Sequence, residues 1–321
     1  MPHFTGRPRG DSDVRRLPTG RRSFAVLHLT PSQLAPWAPK LAALEREVPY
    51  PVDICSERFV LRHGPQYHEF FSSMGDAHFL LAVHGDELIG CIVAVLKPVR
   101  TPGGDVPAVY FGDLKVADAW RGRLVPARLM FTAVSEWARS PRRHAWRFAF
   151  GAAMRSAKGD VMRAARGPSL LRLGAPFATF DVYHVAPERL TALDTSVAPS
   201  TQTGAGVDLS PSVTQDVVST CGSKDFVHES TGRRWPLVHL PTGPTAWGAS
   251  HADYLVRSAK HLVASDEPGP ACFALDRRLV AEREFLARRD ISASATYTVY
   301  AFSTSHRTRR AAWAHLATCE I

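Results

Sequence analysis

The sequence predicts an α/β or α+β fold, and three observations carry that prediction. Apolar runs of strand length alternate with amphipathic stretches of helix length along most of the chain. Two such runs between Phe79 and Arg100 are joined by His84-Gly85-Asp86, a hairpin signal. A polar, small-residue, Gly/Pro-rich stretch at 194–212 then breaks the pattern, and strand–helix–strand alternation resumes beyond it.

In chain order, residues 1–23 are rich in Arg, Gly and Pro without periodicity and read as a flexible basic tail. "FAVLHL" (Phe24–Leu29) reads as a strand. Thr30 then caps a helix with Pro31 at its first position, and Pro36 and Pro39 make its start irregular. After the hairpin, Val106–Val116 is a further strand. Even alternation puts Phe111, Asp113 and Lys115 on one face and Tyr110, Gly112 and Leu114 on the other. A helix over about Val125–Ala138 follows, carrying Leu129, Met130, Ala133, Val134 and Trp137 at helical spacing. Strands at Ala145–Phe150 and Ala178–Val185 flank "RSAKGDVMRAAR", a short basic helix or loop. The expected organisation is a first domain over 24–193, a linker over 194–212 and a C-terminal α/β domain over 213–321. That last domain holds helices at "SHADYLVRSAKHLV" and "RLVAEREFLARR", and strands at "ACFALD", "ATYTVYAF" and "AWAHLATC".

Composition bounds the function. The chain of 321 residues is 45% hydrophobic and 21% charged, as globular domains are. No apolar run reaches membrane-spanning length, and residues 1–23 hold no signal-peptide core, so a cytoplasmic protein is expected. Five cysteines stand far apart without a C-x-x-C, which points to buried, reduced thiols. The fourteen histidines form no zinc motif, so no metal is expected. The net charge of +9 is concentrated: between Arg121 and Arg172, eleven Arg and Lys158 face only Glu136 and Asp160. Such a block attracts polyanions.

That block opens at a strand-to-helix turn. A helix N-terminus presents unpaired N–H groups and a positive dipole end, which together bind phosphate. The hairpin "GDELIG", the strand ending "LKV" and "RGRLVPARLM" opening a helix with Trp137 near its end resemble the Gcn5-related N-acetyltransferase (GNAT) superfamily over roughly residues 24–190. The resemblance implies a mixed, mostly antiparallel sheet flanked by helices, and the strand–helix–strand rhythm of the second half leads us to expect a smaller C-terminal α/β domain of similar form. It also implies an acyl-CoA donor whose pyrophosphate lies on a turn of form Arg/Gln-x-x-Gly-x-Gly/Ala. Here Arg121 takes the Arg/Gln position, Leu124 and Pro126 take the two Gly positions, and Gly122, Arg123 and Val125 lie between. Pro126 removes one cradle donor and Leu124 adds a side chain, whereas Arg121, Arg123 and Arg128 can meet phosphate oxygens directly.

Amide formation needs an amine freed of its proton, a polarised carbonyl and a protonated leaving group. The resemblance implies that Leu114, Lys115 or Val116 supplies a backbone N–H to the donor carbonyl. Asp113, flanked by apolar residues, is the first candidate for a base with a raised pKa or an amine-binding carboxylate, its alternative being a partner for Lys115 or a nearby arginine. The family's tyrosine acid after the fifth strand is missing. Tyr183 and His184 are substitutes, and alternation lets only one face the site. "RRWPLVHLPTGPTAWG" (Arg233–Gly248) is either a cap on an acceptor pocket or a packed interdomain loop. Three functions follow: an N-acyltransferase moving an acyl group from acyl-CoA to a small-molecule amine, the same chemistry fed by aminoacyl-tRNA through segment 121–172, and a non-catalytic RNA- or partner-binding module. The sequence leaves the oligomeric state open.

Overall fold

A computed structural model describes residues 23–54, 57–139, 148–156, 159–160, 175–201, 204–265, 269–303 and 311–321. The expected basic tail therefore lies outside the described residues except for Ser23, as does much of the basic block beyond Arg139.

Strand β1 (Ala25–Leu29) leads into two 3-10 turns, Pro31–Gln33 and Ala35–Trp37, before helix α1 (Ala38–Glu47). Prolines at 31, 36 and 39 keep this entry from being one regular helix, and the Thr30 N–H is held by Gln33 Oε1 at 2.9 Å. Strands β2 (Pro49–Ile54) and β3 (Glu57–Arg62) and helix α2 (Tyr67–Ser72) follow, none of which the apolar periodicity predicts. The expected hairpin is β4 (Asp76–His84) and β5 (Glu87–Thr101), turning at Gly85, whose φ is 58°. Strand β6 (Gly104–Val116), helix α3 (Val125–Arg139) and strand β7 (Phe148–Ser156) complete the expected strand–helix–strand unit. The start of "RSAKGDVMRAAR" is not helix: Arg155 and Ser156 end β7 and pair with β8 (Gly159–Asp160), and residues 161–166 lie outside the described set.

Strand β9 (Ala175–Val185) and helix α4 (Pro187–Thr191) come next. The polar stretch 194–212 is packed in part: it carries β10 (Gly206–Asp208), and Val207 and Leu209 are fully buried. Beyond it lie β11 (Val218–Ser219), β12 (Asp225–His228), β13 (Arg234–Trp235), β14 (Val238–His239), α5 (His251–Ser265), β15 (Ala271–Asp276), α6 (Val280–Ala287), β16 (Ala295–Ser303) and β17 (Trp313–His315).

One large, mostly antiparallel sheet runs through both halves in the order β1-β4-β5-β6-β7-β16-β9-β15-β14-β11. Strand β16 enters from far along the chain and lies antiparallel between β7 and β9. A second sheet, β13-β12-β3-β2, joins early and late residues again. Both halves are thus stitched together by backbone hydrogen bonds. Two apolar cores serve the sheet. The larger holds Phe79, Leu81, Val125 and Leu129. The smaller holds Tyr183, Phe273, Leu255 and Leu286 under α5 and α6. Each fully buried Phe or Leu contributes about 1.5–3 kcal/mol. No helix among the described residues is long and apolar enough to cross a membrane.

Candidate active site

The register between β5 and β6 slips at one point. Val93 faces Gly112 and Cys91 faces Lys115, so Asp113 and Leu114 together oppose Ile92. That is a β-bulge, and Asp113 adopts a φ of 53°, uncommon outside glycine. The bulge overturns the even alternation expected for this strand. Lys115 falls on the face of Cys91, Gly112 and Tyr110 rather than opposite them.

A buried ionic network fixes the bulge. The Asp113 carboxylate accepts from the Tyr67 hydroxyl on α2 and from the Lys115 ammonium. Lys115 Nζ also lies 3.5 Å from Glu45 on α1, and His63 Nδ1 lies 2.5 Å from the same Glu45 oxygen. With a carboxylate opposite, Nδ1 carries the proton and donates. Burial alone would push the Asp113 carboxyl up, but the charged Lys115 outweighs it and holds Asp113 below the ordinary carboxylate range. The raised pKa expected for Asp113 as a base is therefore not found, because Lys115 sits on it. Burial opposes the charge on Lys115, yet Asp113 and Glu45 raise its pKa. His63 is lowered by burial despite Asp113 and Glu45, which leaves it neutral near pH 7. Ligand atoms of Glu45, His63 and Asp113 lie within 4.8 Å of one another, as metal ligands do. The Lys115 ammonium already bridges both carboxylates, in the place a cation would take.

Beside the bulge the sheet opens. Strands β6 and β7 pair in parallel only as far as Phe111↔Gly151. Beyond that point the edge of Gly112–Val116 facing β7 has no strand partner among the described residues. Leu114 and Val116 are half-buried there, next to Lys115. The chain then passes through a 3-10 turn (Asp118–Trp120) to the turn at Arg121–Leu124 and into α3. Gly122 has a φ of 74°, which suits glycine. Val125 and Leu129 are fully buried and seat α3 on the sheet face opposite α1 and α2. Gly90 permits that approach, since a Cβ there would lie 3.0 Å from Val125 Cγ1. Leu124 is 58% exposed, so its side chain leaves the turn rather than filling it. Arg121 pairs with Asp118 at 2.7 Å, Arg123 stacks 4.6 Å over Trp120, and Arg128 stacks 4.6 Å over Phe24. These three arginines belong to the turn and the first turn of a helix whose first N–H groups have no helical partner, Pro126 lacking one of its own.

His184 and Tyr183 separate as alternation requires. Tyr183 stacks on Phe273 at 5.0 Å in the smaller core, and burial, then Asp181, pushes its pKa to about 12. His184 lies on the other face, the one that carries the bulge network. That assignment follows from register: Tyr110 faces Phe150, Met154 faces Tyr297, Tyr297 faces Phe180, and His184 stands four residues beyond Phe180. There it lines a pocket that is partly open to solvent, together with Met154, Lys224, Trp235, Leu237 and Tyr297. His184 Nδ1 lies 2.5 Å from Ser294 Oγ, and that hydroxyl donates to Val182 O at 3.2 Å. Nδ1 therefore carries the proton, and Nε2 is left as an acceptor. Burial lowers the pKa of His184 to about 4. Trp235, Leu237 and His239 bring the segment 233–248 to the pocket wall.

Comparison with solved structures follows the same outline. Saccharomyces cerevisiae N-myristoyltransferase with bound myristoyl-CoA superposes at a TM-score of 0.52 and 12% identity, covering 94% of this chain and 86% of that one. A second structure of that enzyme, with myristoyl-CoA and inhibitors, gives 0.53 at 11% identity over 90% and 82%. A tandem GNAT protein from the clavulanic acid biosynthesis pathway gives 0.48 at 11% identity over 88% and 99%. The chain has a GNAT-like fold. No protein-family model matches its sequence, and no curated protein sequence does. In this chain the strand next to β7 is supplied by β16, from far along the sequence.

Sequence reasoning missed Glu45, His63, Tyr67, Cys91 and Lys224. They lie on α1, after β3, on α2, on β5 and before β12, with no common spacing. Lys224 stands between Ser223 and Asp225, and Glu45 is followed by Arg46 and Glu47, so local polarity marks neither as a site residue.

Proposed function

We propose that this protein is an N-acyltransferase that moves an acyl group from acyl-CoA to the amine of a small molecule. One observation carries the reading: the bulge at Asp113–Leu114 lies where β6 and β7 part, and β6 leads directly to the arginine-bearing N-terminus of α3. An open strand edge offers N–H groups to a thioester carbonyl, and a helix N-terminus favours phosphates. The bound myristoyl-CoA of the yeast enzyme with the same fold supports a CoA-linked donor.

In this reading Arg121, Gly122, Arg123, Leu124, Val125 and Arg128 hold the donor phosphates. The N–H groups of Leu114–Val116 polarise the thioester carbonyl. Asp113, Lys115, Glu45 and Tyr67 are positioning residues that lock the bulge. The acceptor enters from the pocket face, where neutral His184 offers Nε2 to the amine proton. The amine nitrogen attacks the carbonyl carbon, the C–S bond breaks, an amide forms, and CoA leaves as its thiol with the proton the amine gives up. Tyr183, on the far face, takes no part.

Calorimetric titration with acetyl-CoA, and separately with bulk tRNA at low and high salt, tests the donor. Micromolar acetyl-CoA binding with little response to tRNA is expected. Salt-steep tRNA binding without acetyl-CoA binding would replace this donor with a charged RNA.

A further inference from the structure

The pocket holds a cation that no side chain lining it neutralises. Lys224 is buried, and its ammonium lies 5.0 Å over the Phe70 ring. Among the described residues no carboxylate lies within ion-pair distance of it. The pocket around it is otherwise mostly apolar: Met154, Phe226, Trp235, Leu237 and Tyr297 line it. The histidines there add no negative charge. His239 is held between Thr220 Oγ1 at 3.1 Å and Thr318 Oγ1 at 2.9 Å, and burial keeps it well below its ordinary pKa. His184 is likewise neutral.

We infer that this pocket takes a ligand with an apolar, ring-sized body and a carboxylate, and that Lys224 is the group that binds the carboxylate. An ammonium in a mostly apolar pocket with no carboxylate at ion-pair distance is costly, and a ligand carboxylate supplies the missing charge and hydrogen bonds. Aromatic walls beside one cation set the shape and the polarity of that ligand. The ligand is the acceptor of the acyl group only insofar as the acyl-transfer reading holds. The binding itself is independent of the donor.

The protonation of Lys224 tracks the same feature. Burial lowers its pKa to about 8. The groups around it do not offset this. Cys272 and Cys319 have thiol pKa values pushed up to about 12 by burial, Asp113 is already paired with Lys115, and His184 and His239 are neutral. A bound carboxylate restores the charged form, so ligand binding takes up a proton above about pH 8.

The test titrates the full chain, without donor, with hydrocinnamate and with phenethylamine. These share an aromatic body and differ in charge. Hydrocinnamate is expected to bind at about pH 7 and to weaken about tenfold by about pH 10, with proton uptake on binding. Phenethylamine is expected to bind at least tenfold more weakly. Lys224→Met should remove the preference, and Lys224→Arg should keep hydrocinnamate binding while losing the pH dependence. Equal binding of the two probes, tighter binding of the amine, no binding of hydrocinnamate, or a Lys224→Met protein that binds hydrocinnamate as well as the parent each overturns the inference. None of these outcomes bears on acetyl-CoA binding, so a failure here is distinct from a failure of the donor assignment.

Discussion

Lys115 and Lys224 are both buried on the same face of the sheet, yet their environments push them in opposite directions. Lys115 touches Asp113 and Glu45, and its charge is fixed. Lys224 has an aromatic ring beneath it and an apolar pocket before it, and its pKa falls to about 8. Burial is common to both and therefore does not decide the outcome; the presence of a carboxylate does. One cation is structural and the other is available. The same contrast reaches the far face, where Arg121 and Arg123 are exposed around the N-terminus of α3.

The largest effect that would sharpen this contrast comes from Lys115→Met. It leaves Asp113 and Glu45 buried without their cation and is expected to cost about 3–5 kcal/mol, read as a large fall in denaturant midpoint. Lys224→Met removes an uncompensated charge and should cost little at neutral pH or stabilise the fold. If both substitutions cost the same, the comparison fails.

The second effect is a pH dependence with a definite sign. The folded-state pKa of Lys224 lies below its unfolded value of 10.5, at about 8. The unfolded chain thus binds more protons between those values, and stability rises with pH across that window by about 3 kcal/mol. Chemical denaturation at about pH 8 and about pH 10 should show the parent gaining stability relative to Lys224→Met. The Asp113 carboxyl works at the other end. Its folded pKa is depressed, so its contribution is present above the unfolded carboxylate value and is lost as pH falls through the folded one.

Much of this frame is legible in the residues themselves. The hairpin read over Phe79–Arg100, strand β6, helix α3 and the opposite facing of Tyr183 and His184 all follow from period and turn chemistry. What is not legible has a physical reason in each case. The bulge depends on one unpaired residue, and nothing in "FGDLKV" marks Asp113 as its site. The network of Glu45, His63, Tyr67 and Lys115 is assembled by packing of α1 and α2 on the sheet, and packing leaves no spacing in sequence. The placement of β16 between β7 and β9 is a long-range choice that "ATYTVYAF" alone does not encode.

Smaller effects sharpen the donor side. Arg121→Ala with Arg123→Ala should weaken acetyl-CoA binding about tenfold by calorimetry while leaving the fold intact, because both side chains are exposed. Gly122→Ala places a side chain at a φ of 74° and should cost about 1 kcal/mol, seen as a drop of a few degrees in Tm.

The central claim is that an acyl donor lies across the open edge of β6 and the N-terminus of α3. Amide hydrogen exchange with and without saturating acetyl-CoA tests it most directly. Added protection is expected at Gly112–Val116 and across residues 122–127, together and in the same titration. Protection confined to other segments, or none at all when acetyl-CoA is bound, would contradict it.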